Sequence, residues 1–213
     1  MKGIFITVEG PDGAGKTSVI ERLIPMLKEQ LVPALVSTRE PGGVRIAEEI
    51  REIILDPKNT EMDERTEAIL YAAARRQHLI QVVLPAINAG KVVLCDRFVD
   101  SSIAYQGVGR GIGVAEVADL NEFATEGLAP DLTLYLDVPA EVGLARIAQN
   151  KERKNDRLDQ EKLSFHEKVR AAYLTIYEQQ PERVLLVDAT QTINQVVAVC
   201  LDQIKAKYPT VFK

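Results

Sequence analysis

The sequence has few of the residues that form cross-links or metal sites. It contains two cysteines, two histidines and no tryptophan among 213 residues. Cys95 and Cys200 cannot form a disulfide framework and do not have the spacing of metal ligands, so we expect both to be small buried side chains. The absence of a disulfide framework favours a reducing, cytoplasmic setting.

Long apolar runs and an excess of positive charge are also missing. We find no apolar stretch of about 20 residues and no signal peptide, so we expect neither membrane insertion nor export. The 26 basic residues are outnumbered by 31 acidic ones, which gives a net charge of −5. Nucleic acids and anionic membranes bind broad basic surfaces. We therefore expect no nucleic-acid partner and no membrane partner, and an anionic ligand would be bound by a local group of cations.

Five short apolar runs predict β-strands, and helical patterns fill the intervals between them. Runs that are apolar on both faces are typical of a parallel sheet covered by helices on both sides. We expect an α/β fold in a single domain over residues 1–213, with ligands at the C-terminal ends of the strands. The predicted strands are Ile4 to Glu9, Ala34 to Thr38, Val92 to Asp96, Leu132 to Asp137 and Val184 to Asp188.

A glycine-rich loop follows the first predicted strand and matches the pattern G-x-x-x-x-G-K-[ST] of phosphate-binding loops. In this pattern backbone N–H groups surround a polyphosphate, Lys16 reaches the β and γ oxygens, and Thr17 holds magnesium. The pattern alone fits an ATPase, a GTPase or a kinase. The loop residues are Gly10, Pro11, Asp12, Gly13, Ala14, Gly15, Lys16 and Thr17.

The third predicted strand ends in an acid and a base. Asp96 is expected near the metal or its waters, and Arg97 is expected to contact phosphate. The polar and aromatic residues 98–107 that follow are typical of groups that bind sugars and bases. Four glycines then predict a flexible loop over residues 107–113.

Two predicted helices carry the next candidates. The expected core stripe of the first helix consists of Ile46, Ile50, Ile53 and Ile54. That of the second helix consists of Ile69, Ala72, Ala73 and Leu79. Pro85 should restart or kink the second helix. On the first helix, Arg51 is either a solvated charge or a ligand contact. On the second, Tyr71 and Arg75 share a face and could stack on a base and donate to its edge, although Tyr71 is equally a core candidate. We expect His78 at the surface or partly buried.

Residues 150–157 are polar and charged and have no apolar periodicity. Their cations, Lys151, Arg153, Lys154 and Arg157, stand out in an acidic chain. A solvated connector would have this composition, but so would a mobile lid that closes over a triphosphate and excludes water. We favour the lid.

Together these motifs resemble those of bacterial thymidylate kinases over essentially the full length. That family transfers the γ-phosphoryl of ATP to dTMP, and the resemblance implies a three-layer P-loop kinase fold with a five-stranded parallel sheet, a mobile lid, Mg²⁺ as cofactor and a homodimer. The segments that carry the resemblance are residues 9–17, 38–43, 66–76, 96–98, 101–107 and 165–170.

The resemblance also implies roles at the centre of the reaction. Lys16 and Thr17 would bind the donor phosphates and the metal, and Arg97 would clamp phosphate between donor and acceptor. Asp12 would face the acceptor's sugar hydroxyl or phosphate. Gly13 stands where eukaryotic relatives have arginine, so the catalytic cation should come from the lid, with Arg153 as first choice and the other lid cations still possible.

The remaining implied roles concern dTMP. Glu40 is expected to organise water or metal, and Arg51 to bind the acceptor phosphate. Arg75 and Gln106 are expected to read the thymine edge. Tyr71 would stack on the base, Tyr105 would pack under the deoxyribose, and Ser102 would help to close the base pocket. The family usually has phenylalanine in place of Tyr71, whose hydroxyl needs a polar neighbour.

Two other functions fit parts of the sequence. Another nucleoside monophosphate kinase would share the loop and the lid but not the thymine-reading set. A switch driven by GTP or ATP would instead control the binding of a partner. A GTPase of this kind would have N-K-x-D after an apolar strand, whereas here Asn150 and Lys151 are followed by Glu152 and Arg153.

Overall fold

The protein folds around a parallel sheet of five strands, here described from a computed structural model that covers residues 2–149 and 157–213. The sheet order is β2-β3-β1-β4-β5 and all four strand pairs are parallel. Four of the strands were predicted from the sequence with the bounds that the structure shows, and the predicted bounds of the second strand lie one residue too early. The strands are β1 (Ile4–Glu9), β2 (Leu35–Arg39), β3 (Val92–Asp96), β4 (Leu132–Asp137) and β5 (Val184–Asp188).

Helices connect the strands and cover both faces of the sheet. They are α1 (Lys16–Gln30), α2 (Arg45–Leu55), α3 (Glu64–His78), α4 (Leu84–Asn88), α5 (Val99–Ser102), α6 (Val114–Thr125), α7 (Ala140–Gln149), α8 (Leu163–Gln179) and α9 (Ile193–Lys207). Two π-helical segments, Leu79–Val83 and Ile103–Gly109, and two 3₁₀ turns, Arg157–Gln160 and Pro209–Val211, complete the described elements.

Alternating strand residues pack against helices on opposite faces of the sheet. Ile6 and Val8 of β1 are buried in one cluster with α1 and α9. Phe5 lies in a second cluster and contacts the ring of Phe98 edge to face at 4.9 Å. Tyr135 of β4 belongs to a third, formed with α8. These clusters confirm the α/β fold with helices on both sides.

The expected core stripes of α2 and α3 are partly wrong. Ile46 and Ile53 are 38% and 50% exposed, and Ile69 is 56% exposed. Ile54 and Ala72 are buried as expected. Periodicity identifies an apolar face but not what covers it, and the inward face of α3 instead carries several polar side chains. Those buried polar residues of α3 are Glu67, Arg75 and His78.

The glycine-rich stretch is only partly a loop. Gly107 and Gly109 belong to the π-helical segment Ile103–Gly109, where a Cβ on Gly109 would lie 2.7 Å from the Phe165 ring. Gly111 and Gly113 lie outside it with positive φ. The glycine at 109 therefore permits close packing rather than flexibility. Pro85 lies in the first turn of α4, directly after the π-helical turn, as expected for a helix that restarts.

None of the helices within the described residues combines the length and apolar character that crossing a membrane requires.

Candidate active site

The phosphate-binding loop and the end of β3 lie side by side because β1 and β3 are neighbouring strands. Val8 pairs with Asp96 in the sheet register. A cavity of about 1000 Å³ opens at this edge. It brings together fourteen of the predicted site residues: Asp12, Gly13, Gly15, Lys16, Thr17, Glu40, Arg51, Tyr71, Arg75, Asp96, Arg97, Ser102, Tyr105 and Gln106. Gly10, Pro11 and Ala14 belong to the loop but do not line the cavity.

The loop backbone packs directly against α7. Gly13 has φ 77°, and a Cβ there would lie 2.1 Å from the carbonyl oxygen of Gly143. A Cβ on Gly143 would in turn lie 2.4 Å from the carbonyl oxygen of Asp12. Glycine is therefore required at both positions, for backbone conformation at 13 and for close approach at both. This packing also excludes an arginine at position 13 without a shift of α7.

Lys16 is folded onto the loop that carries it. Its ammonium donates to the carbonyl oxygens of Gly10 at 3.0 Å and Pro11 at 2.9 Å, and the residue is 8% exposed. Burial and the positive charge of Arg97 lower the pKa of Lys16 to about 8, against the opposing effect of Asp12 and other carboxylates. The amine thus lies where an anionic ligand would restore its charge.

Arg97 connects the loop to the segment after β3. Its guanidinium donates to Asp12 Oδ1 at 2.7 Å, to the Gly10 carbonyl at 3.1 Å and to Ser101 Oγ at 3.0 Å. The Tyr105 hydroxyl donates to the other oxygen of Asp12 at 2.8 Å. The backbone of Arg97 has φ 68°, a conformation that is rare for a residue with a side chain and frequent at functional sites.

Glu9 is a functional candidate that the sequence did not single out. It is fully buried and accepts hydrogen bonds from the Phe98 N–H at 2.6 Å, Ser101 Oγ at 2.6 Å and the Tyr173 hydroxyl at 2.8 Å. Burial, together with repulsion from Asp100, raises the pKa of Glu9 to about 7. Its bond to Phe98 fixes the backbone next to Arg97. No local pattern distinguishes it from any acid at a strand end.

A second buried charge cluster borders the cavity around Glu40 and Arg75. Glu40 accepts from Arg75 Nε at 2.6 Å and lies 2.9 Å from His78 Nδ1, and all three side chains are buried. His78 also bonds to Thr38 Oγ1 at 2.6 Å. The expectation that His78 lies at the surface or is partly buried is therefore wrong, because its side chain is fully buried. Both oxygens of Glu40 contact protein groups, so its role as an organiser of water or metal stays a prediction.

Arg75 is held from several sides. Beyond Glu40, it donates to Ser102 Oγ and to the Phe98 carbonyl, both at 3.0 Å, and to Asn121 Oδ1. Its guanidinium lies 5.2 Å from the centre of the Phe98 ring. These contacts occupy four of the five N–H groups of Arg75 and fix the guanidinium at the edge of the cavity. Asn121 was not among the residues predicted from sequence patterns.

The other predicted acceptor residues lie around the same space. Arg51 donates to the Pro41 carbonyl at 2.9 Å, next to the cis Glu40–Pro41 peptide bond. Tyr71 is half-buried and lines the cavity, and so does Gln106, which is buried.

Thr17 and Asp96 provide the oxygen ligands that the expected metal would need. Thr17 is exposed at the cavity, and Asp96 Oδ1 is buried without a hydrogen-bond partner among the described residues. A buried acceptor that lacks a donor fits a cation or its bound water. Within residues 2–149 and 157–213 no group of three His, Cys, Asp or Glu side chains could hold a metal alone, so phosphate oxygens would complete the site.

Arg153, predicted as the catalytic lid cation, lies outside the described residues together with Lys151 and Lys154. Arg146 of α7, which was not predicted, lines the cavity and donates to the carbonyls of Ala189 at 2.9 Å and Gly13 at 3.4 Å. Nothing local distinguishes Arg146 from a surface arginine.

Known proteins were compared with the chain. Residues 8–199 match the model of the family described as thymidylate kinase. A thymidylate kinase from Latilactobacillus sakei is 60% identical over 204 residues, covering 96% of this chain and 95% of that protein. Another, from Lacticaseibacillus casei, is 58% identical over 213 residues and covers 100% of both.

A solved structure is similar over almost the same length. The crystal structure of thymidylate kinase from Ehrlichia chaffeensis has a TM-score of 0.77 and 30% sequence identity, and the match covers 96% of this chain and 99% of that one. The resemblance carried by the sequence motifs is thus confirmed by family, relatives and fold. The chain belongs to the thymidylate kinase family and is an enzyme of the dTMP kinase class.

Proposed function

We propose that the enzyme transfers the γ-phosphoryl of ATP to dTMP, giving dTDP and ADP for dTTP synthesis, with Mg²⁺ bound alongside ATP. The observation that carries this proposal is the Asp12–Arg97 ion pair of 2.7 Å, which joins the phosphate-binding loop to the acceptor pocket within one cavity. Such a reaction uses metabolites of the cytoplasm, where we place the protein.

On the donor side, the backbone of residues 10–17 would surround the triphosphate. Lys16 would leave the carbonyls of Gly10 and Pro11 and bind the β and γ oxygens. Thr17 and Asp96 would hold the metal, which supplies charge neutralisation at the transferring phosphoryl group when bound.

On the acceptor side, Arg97 lies between the loop and the pocket and would contact the phosphates of both substrates. Asp12 would hold Arg97 and face the acceptor. Arg51 would bind the dTMP phosphate, and Tyr71 would stack on thymine. Arg75 and Gln106 would read the base edge, with Tyr105 under the deoxyribose and Ser102 closing the pocket.

This arrangement needs no covalent intermediate. Phosphoryl transfer has a loose transition state, so the protein contributes in-line positioning and charge stabilisation. Lys16 lies within the loop, and Arg97 and Arg146 donate to its carbonyl oxygens. Arg153 remains the proposed lid cation.

We also propose a homodimer formed through α2, α3 and α6. The exposed apolar residues Ile46, Ile53 and Ile69 lie on the first two helices, and Phe123 of α6 is 86% exposed. The helix α3 packs against both α2 and α6. Aromatic and aliphatic side chains left open on adjoining helices are typical of a face that another subunit covers.

The substrate assignment is tested by a panel of monophosphates. With ATP and Mg²⁺, dTMP should be phosphorylated with a kcat/KM far above those of AMP and GMP, because Arg75 and Gln106 offer donors and an acceptor to a pyrimidine edge. A coupled ADP-release assay measures all three. Comparable turnover of AMP, GMP and dTMP would contradict the assignment and favour another nucleoside monophosphate kinase.

Arg97→Ala should lower kcat by about 10³-fold, as expected for an arginine that stabilises the transferring group. ATP binding, measured by calorimetry, should change little because the loop backbone and Lys16 remain. Arg22→Ala removes an exposed arginine of α1 that bonds to Asn194 and should leave kcat unchanged. If Arg97→Ala retained full turnover, its assigned role would be wrong.

ATP binding should take up protons at alkaline pH. The pKa of Lys16 is lowered to about 8 in the free site, and bound phosphates would return it toward about 10.4. Near pH 8 about half a proton should therefore enter on binding, and ATP affinity should fall as pH rises above 8. Calorimetry in buffers of different ionisation enthalpy measures the uptake.

For this proton uptake, Lys28→Arg alters an exposed lysine of the same helix and should leave the effect intact. Binding heats that do not depend on the buffer between pH 7 and pH 9 would show that Lys16 is already charged in the free enzyme.

Phe123→Glu should separate the dimer, since a carboxylate at the centre of an apolar interface loses its hydration without a partner. Sedimentation velocity should give a dimer for the wild type and a monomer for the variant. Val199→Glu, at a 42% exposed position of α9, is the control and should stay dimeric. A wild type that sediments as a monomer at micromolar concentration would refute the proposed interface.

A further inference from the structure

Glu67 is a buried carboxylate beside the acceptor pocket to which no role has been assigned above. It lies on the inward face of α3 and is 0% exposed. Gln106 Nε2 donates to its Oε1 at 2.7 Å, and Arg110 Nε donates to its Oε2 at 3.2 Å. Arg157 also donates to Oε2. One carboxylate thus collects an amide of the pocket and two guanidinium groups.

Two arginines form ion pairs with the buried carboxylate of Glu67. A buried carboxylate is costly unless it is paired and hydrogen-bonded. Arg110 and Arg157 both meet this need, and Arg110 is itself shared with Glu161. The charges of the two acids, Glu67 and Glu161, and of the two arginines therefore balance within the cluster. An ionised carboxylate only accepts hydrogen bonds.

This property fixes the orientation of the Gln106 side chain. Its amide has a donor end and an acceptor end. If the amide were reversed, its oxygen would lie against a carboxylate oxygen at the 2.7 Å separation, two acceptors without a proton between them. The nitrogen must therefore face Glu67. The oxygen is the end of Gln106 that remains for a ligand in the cavity.

We propose that Glu67 is a positioning residue that sets the base selectivity of the acceptor site through Gln106. The amide oxygen, held in this orientation, accepts a hydrogen bond from a base that carries a proton on N3. Thymine and uracil have that proton, whereas N3 of cytosine is itself an acceptor. Arg75, which can only donate, complements the O4 carbonyl of thymine in the same pocket. This inference rests on the proposed dTMP kinase function.

The same cluster assigns a different role to Arg157 from the one left open by the sequence. Its side chain is 9% exposed, and its Nε donates to the carbonyl oxygen of Ile54 at 3.1 Å. With Glu67 and the end of α2 as partners, Arg157 anchors the turn Arg157–Gln160 beside the pocket. It therefore stabilises the acceptor site rather than the transferring phosphoryl group.

The decisive variant is Glu67→Gln. Its amide oxygen would turn to the arginines and its amide nitrogen to Gln106, which would reverse Gln106 and present a donor to the base. We expect the KM for dTMP to rise by about tenfold or more, because one hydrogen bond to the base is lost and two donors, the Gln106 amide and the N3 proton, then face each other. The ratio of kcat/KM for dTMP to that for dCMP should fall by at least as much, while kcat with saturating dTMP changes less.

Two variants separate this role from a merely structural one. Glu67→Asp keeps an acceptor-only group and should retain the preference for dTMP over dCMP, even if its melting temperature falls. Glu64→Gln, at an exposed position of the same helix, should change neither the preference for dTMP over dCMP nor the melting temperature. A Glu67→Gln enzyme that folds and keeps the wild-type ratio of dTMP to dCMP would overturn the proposal, as would a loss confined to kcat.

If Glu67→Gln does not fold, the wild-type enzyme still tests the proposal. N3-methyl-dTMP cannot donate from N3, so its KM should exceed that of dTMP by about tenfold or more, and an unchanged KM would overturn the inference. Failure of the proposed function looks different, since the wild type would then not prefer dTMP in the monophosphate panel. A selective wild type with a selective Glu67→Gln variant would contradict only the role of Glu67.

Discussion

The ion pair between Asp12 and Arg97 is the interaction on which the active site depends. It joins the loop after β1 to the segment after β3, and it does so at a residue whose backbone, at φ 68°, costs about 1–3 kcal/mol. The buried Glu9 offsets that cost by fixing the N–H of Phe98, the next residue. The phosphate-binding loop and the segment after β3 are thus held together at one end of the cavity, and the proposed in-line transfer needs this positioning.

The proposed acceptor pocket is bordered by buried charges that are neutralised in groups. Glu40 holds Arg75 and His78, and Glu67 holds Arg157 and Arg110. Buried ion pairs contribute little net stability compared with apolar packing, because desolvation offsets their attraction. Their benefit here is orientation, since Glu40 fixes the guanidinium of Arg75 and Glu67 fixes the amide of Gln106, two side chains that line the cavity.

The sequence predicted what is encoded locally and failed where partners are distant. Strand bounds and the loop at residues 10–17 follow from contiguous patterns, and most of the predicted site residues line one cavity. Glu67 and His78 looked like ordinary helix residues, because their partners lie 39 and 38 positions away along the chain. The outward isoleucines of α2 were assigned to the core for a related reason, since periodicity identifies an apolar face but not what covers it.

The contact between Gly13 and Gly143 explains how the catalytic charges are distributed. With backbone atoms this close, position 13 has no room for a side chain, so the loop itself cannot supply an arginine there. The charge must come from other elements, and Arg97 already approaches the loop from β3. The helix that excludes a residue at 13 is α7, which carries Arg146 into the cavity and leads directly to the cations of residues 150–157. The packing of α7 against the loop therefore leaves no room for a side chain at position 13 and places Arg146 of α7 at the same cavity.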